Sequence, residues 1–136
     1  MREMCKAGCD NVFPVSNFKY LKNIENIGYT INDDGSIETT GFAFWGYNIP
    51  ILKGITYKMN IYGEASNYSS GDTITITLYI GNTSIFDHIY TLTQSTFRLE
   101  ASSINTNNLE GIARLEITTS SNKSINIKTI LIKPTF

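Results

Sequence analysis

TITITLYI, residues 73–80, decides the fold class. Ile74, Ile76, Leu78 and Ile80 fall on one side of an extended chain, and Thr73, Thr75, Thr77 and Tyr79 on the other, because successive strand side chains point to opposite faces. A segment with this pattern buries one face and wets the other. ITYKMNIY (55–62) repeats it, with Ile55, Tyr57, Met59 and Ile61 inward and Thr56, Lys58, Asn60 and Tyr62 outward.

Further strand signals follow in FAFWGYNI (42–49), SIFDHIYTL (84–92), TFRLEA (96–101), IARLEITT (112–119) and INIKTILI (125–132), separated by Gly, Asn, Ser and Asp clusters. In the last, Ile125 and Ile127 are out of phase with Ile130 and Ile132, which predicts a bulge near Lys128–Thr129. In IGYTINDDGSIETTG (27–41), Asp34–Gly35 supplies the positive φ of a tight hairpin turn. Adjacent Asp33 and Asp34 do not match the every-second-residue spacing of a calcium loop. No helical spacing of useful length, internal repeat or low-complexity tract is found. The reading is all-β: eight or nine strands in a two-sheet antiparallel β-sandwich, with a jelly roll preferred to an immunoglobulin-like form, which lacks its Cys and Trp pattern here.

The 136 residues suit one domain, and the low charged fraction of 17% beside 41% apolar residues agrees with a strand-rich core. Residues 1–12 mix charge, Gly and Cys without periodicity, so they read as a poorly ordered leader before a single domain spanning 13–136. A net charge of −1 gives no footprint for nucleic acid. No apolar run reaches membrane-span length, and the first residues carry no apolar signal-peptide core. An extracellular protein of this kind travels within a larger chain, by another export route, or in a virion. Cys5 and Cys9 leave reduced thiols, a local disulfide and half a metal site open, the second ligand pair of a zinc site being missing.

The order of NVFPVSNF (11–18), the Trp45 segment, LKGITYKMNIYGEAS (52–66) and INIKTILIKP (125–134) resembles the carbohydrate-binding-module jelly rolls of bacterial glycoside hydrolases, modules also found in phage tail and virion proteins. Asn11, Phe13, Asn17 and Phe18 echo the family's opening phrase, and Gly54 to Tyr57 its Gly-x-x-Tyr lead into a central strand. The resemblance covers about residues 11–134. It implies a non-catalytic protein holding a glycan or cell-surface polysaccharide, in an extracellular or virion-surface setting, with a homo-oligomer or larger parent assembly left open. It also implies a structural calcium, held partly by an Ile-Asp pair in the last strand. Here Ile127 is followed by Lys128 and Thr129, so no cofactor is expected, although backbone carbonyls near Asn17 could contribute to such a site.

Catalytic motifs are thin. Asp87 and His88 are adjacent on one strand and point to opposite faces, and no nucleophile elbow, phosphate loop or zinc-protease helix is present. Binding of a sugar needs rings for its C–H faces and fixed polar groups for its hydroxyls. The outward Tyr62 and Tyr79, with Asn60, Arg98 and Glu100 on wet faces, are the candidates. Exposed tyrosines also arise simply from cross-strand pairing. Phe42 and Phe44 share one side of their strand and Trp45, Tyr47 and Ile49 the other. The phenylalanines need no hydrogen-bond partner, so they are assigned to the core, and Trp45 and Tyr47 to the ligand-facing rim; a buried Trp45 beside Ile49 is the alternative. His88, in phase with Phe86 and Tyr90, reads as a satisfied strand histidine.

Overall fold

The structure, a computed structural model, describes residues 26–33, 36–45, 49–120 and 123–135; for 26–29, 31 and 40–45 only the backbone is described. The expected leader, Cys5 and Cys9, the NVFPVSNF phrase, the Asp34–Gly35 turn and Tyr47 lie outside the described residues. Nine strands are described: β1 Asn26–Ile31, β2 Ile37–Trp45, β3 Pro50–Ile51, β4 Thr56–Ala65, β5 Thr73–Ile80, β6 Thr83–Thr91, β7 Thr96–Ile104, β8 Gly111–Thr119 and β9 Ser124–Thr135.

All pairings are antiparallel, in the order β6-β5-β8-β2-β9-β4-β7, with β1 beside β2 and β3 beside β8. This path folds into two layers because β2 belongs to both. Ile37–Thr40 pair with β9, whereas Phe42–Trp45 pair with β8. Around this corner, Tyr29 stands opposite Thr39 and Ile27 opposite Phe44, so β2 carries extra residues where it changes sheet. Corners of sandwiches are commonly made by such irregular strands. One layer runs β2-β9-β4-β7 and the other β2-β8-β5-β6, the two-sheet jelly-roll sandwich read from the sequence.

The two inner faces supply the core. Tyr57, Met59 and Ile61 of β4, Leu99 of β7 and Ile127 and Ile132 of β9 face Ile74, Ile76 and Leu78 of β5 and Leu115 and Ile117 of β8, each at most 3% exposed. Each such side chain contributes roughly 1.5–3 kcal/mol of burial. Tyr57 can be interior because its phenol oxygen accepts the Leu52 amide hydrogen at 2.9 Å. The turn leading into β4 places Gly54 at φ 78°, a conformation that other L-residues adopt reluctantly.

The phase break in β9 is a bulge. Tyr62 pairs with Thr129 but Gly63 with Ile127, leaving Lys128 as the extra residue. Ile125, Ile127, Ile130 and Ile132 all face inward in consequence, at 0–2% exposure. The hairpin expected across Asp34–Gly35 is present as the β1–β2 pair, closed by Ile31 opposite Ile37 and by the Asn32 amide donating to the Ser36 carbonyl at 2.8 Å.

Candidate functional site

The bulged β9, central β4 and edge strand β7 present their outward residues as a two-row grid. In one row Arg98, Tyr62 and Thr129 stand side by side; in the next, Glu100, Asn60 and Leu131 do. These six line a depression of about 460 Å³ on the outer face of this layer. It lies within the size range of small-molecule sites. Tyr62 is 42% exposed, and the Arg98 guanidinium sits 5.3 Å from its ring centroid, a cation–π distance that steadies both side chains. Among the described residues neither Arg98 nor Glu100 makes an ion pair, so both keep polar capacity facing solvent. Beyond the Tyr62 row, Lys128 and Glu64 form an exposed ion pair at 3.3 Å.

Four of the seven sequence candidates, Asn60, Tyr62, Arg98 and Glu100, therefore converge. Tyr79 does not join them: it lies on the outer face of the other layer. There Arg114 stacks over it at 4.7 Å and is tied by its Nε–H to Glu116 at 2.8 Å. The two faces share a local recurrence that reading the sequence for repeats misses. Arg98-Leu99-Glu100 and Arg114-Leu115-Glu116 are the same tripeptide, with Tyr62 opposite Arg98 and Tyr79 opposite Arg114. One copy is open and the other closed on itself. Trp45 stands opposite Leu115 in the β2–β8 register, and its side chain, like all of Tyr47, lies outside the described residues. Ile49, grouped with Trp45 in the sequence reading, is fully buried.

Thr129 and Leu131 were not among the sequence candidates. Their signal was the bulge, since once Ile130 and Ile132 face inward, Thr129 and Leu131 must face out. The separation of Asp87 from His88 is as expected. Asp87 accepts a hydrogen bond from the Thr77 hydroxyl at 3.3 Å, while His88 meets the Tyr90 ring at 4.6 Å between centroids. Tyr90 in turn donates its phenol hydrogen to the Glu100 carbonyl at 3.0 Å. Burial, and then the nearby Glu100 charge, push the Tyr90 pKa above its ordinary value.

Among the described residues no three His, Cys, Asp or Glu side chains converge to hold a metal ion. At the β9 position where the resemblance implies a calcium-binding carboxylate stands the Lys128 ammonium, paired with Glu64. These residues do not fit a cation site there.

No family model and no curated protein matches the chain. Its fold does match solved structures. A CBM4 structure superposes with TM-score 0.63 at 12% identity, over 81% of this chain and 77% of that one. The carbohydrate-binding module CBM6cm-2 of Cellvibrio mixtus lichenase 5A, solved with cellotriose, gives 0.53 at 13% identity over 93% and 99%. The enzymatically active domain of tailspike protein 4 from bacteriophage CBA120 gives 0.59 at 10% identity, over 93% of this chain and 22% of that one. The chain thus has the jelly-roll fold of carbohydrate-binding modules.

Proposed function

We propose that the protein is a non-catalytic carbohydrate-binding domain that holds a glycan on the outer face of β7, β4 and β9, without a metal cofactor. One observation carries this reading: an exposed tyrosine, a guanidinium, a carboxylate and an amide share one depression with Thr129 and Leu131. The ring of Tyr62 offers a face to sugar C–H groups, and Arg98, Glu100 and Asn60 offer planar donors and acceptors to neighbouring hydroxyls. Binding of this kind is weak per site and gains from several copies acting together, which suits a domain carried at a cell or virion surface. The likeness to modules such as the one solved with cellotriose supports the ligand class.

A glycan array tests the reading. The expected outcome is binding to at least one polysaccharide, weakened roughly two- to tenfold by Tyr62→Ala through the lost stacking. Silence across the array would refute it. It would favour a second reading that the tailspike likeness motivates, a virion structural domain with no sugar affinity of its own.

A further inference from the structure

The strands that end the two layers, β6 and β7, run beside each other without a ladder joining them. Between them lies a second depression of about 260 Å³, lined by Phe86, His88 and Tyr90 from β6 and by Glu100, Ala101, Ser102 and Ser103 from β7. The β6 rings recur at every second residue, opposite Leu78, Ile76 and Ile74, so they share the inward face of that layer. The opposing layer stops at β7, however, and His88 is left exposed while its partner Ile76 is fully buried. The Phe86 and His88 rings are inclined by 29° with centroids 6.3 Å apart, and Tyr90 closes the row edge-on.

On the β7 side the register slips between Tyr57 and Met59. Ala101 and Ile104 face inward, and both intervening serines are exposed. A bulge therefore delivers two hydroxyls to a cleft whose other wall is aromatic. Glu100 borders this cleft and also the Tyr62 depression, so the two meet at one residue of the edge strand.

We propose that the β6–β7 cleft is a second sugar-contacting subsite, meeting the Tyr62 depression at Glu100, so that the ligand is a linear glycan chain laid across the β7 edge rather than a single sugar. This rests on the reading of the Tyr62 face as a carbohydrate site. The His88 ring offers both a stacking face and ring nitrogens for hydroxyls, and Ser102 and Ser103 add short donors and acceptors. Hydrogen-bonded strands are spaced about 4.8 Å apart, so the path from β9 over β4 to β7 alone is roughly 10 Å, and the unladdered step on to β6 lengthens it beyond what any one sugar ring needs.

The test uses linear glucan, xylan, mannan, galactan and chitin oligosaccharides of increasing length, with calorimetry on wild type, His88→Ala and Tyr62→Ala. In the expected outcome affinity rises with chain length. His88→Ala removes that gain, about two- to tenfold on the longest oligomer, and leaves the shortest bound ligand unaffected, whereas Tyr62→Ala weakens all lengths. Affinity independent of length, or wild-type chain binding by His88→Ala, would overturn the second subsite while leaving the Tyr62 reading intact. No binding by any oligomer would sink both. If the row of rings only packs the edge, His88→Ala lowers the melting temperature without changing the length profile. Ser103→Trp, which blocks the cleft without removing a ring, repeats the comparison should His88→Ala fold poorly.

Discussion

Tyr62 and Tyr79 share residue type, outward phase and a stacked arginine, yet differ in what holds the arginine. Arg114 is committed to Glu116, and the pair covers a half-buried Tyr79. We expect Tyr79→Ala to leave glycan binding unchanged while Tyr62→Ala weakens it, as measured by the same calorimetric titration; equal losses would contradict the assignment of the site to one face. A second expectation concerns Tyr90. Burial and the Glu100 charge favour its neutral phenol, so its folded pKa is raised above the unfolded value. The contribution is therefore complete below the unfolded pKa of about 10 and is lost as pH rises through the higher folded value. Urea unfolding of wild type and Tyr90→Phe through the alkaline range should show the wild type losing stability relative to the variant. Parallel profiles would remove the coupling.

Among the elements, β9 shows why a strand can be longer than its register permits. Deleting Lys128 would straighten it and turn either Ile125 and Ile127 or Ile130 and Ile132 outward, exposing two isoleucines at a cost of about 3–6 kcal/mol. Lys128→Ala keeps the bulge and should change stability by no more than about 0.5 kcal/mol, since the ion pair with Glu64 is exposed. Denaturant titration of the two variants separates the backbone effect from the charge. Across the ladder, a Cβ on Gly63 would run into the Asn126 carbonyl oxygen and come within 2.8 Å of the Phe97 ring, so Gly63→Ala should destabilise by about 1–3 kcal/mol. The inward residues of β4, β5 and β9 and this bulge were legible in the sequence, because two-residue periodicity is a local property, whereas β3 was not read and the core assignment of Phe42 and Phe44 falls on side chains outside the described residues. The site was legible only in part. Phase says that Tyr62 and Tyr79 point outward, but the layer each belongs to depends on β4 pairing with β7 and β9 and on β5 pairing with β8. Such partners lie tens of residues apart, and alternation carries no information about them.

For the molecule as a whole, the governing fact is that β2 serves both sheets, one half paired with β9 and the other with β8. Neither layer can be removed without breaking a strand of the other, and the apolar faces of both are covered only when they meet. Calorimetric unfolding should accordingly give one transition with equal van't Hoff and calorimetric enthalpies. Two resolved transitions would show that the layers are separable. On the proposed glycan-binding reading, the Lys128 bulge also bears on how such a domain would change its ligand preference. The same inserted residue that keeps the β9 isoleucines in the core turns Thr129 and Leu131 toward the Tyr62 depression, so that wall cannot be reshaped by shifting the backbone without loss of the interior. Variation has a freer hand on β7, where Arg98 and Glu100 sit on a strand with one open flank. A lineage retuning its taste for different polymers would be expected to write its changes there.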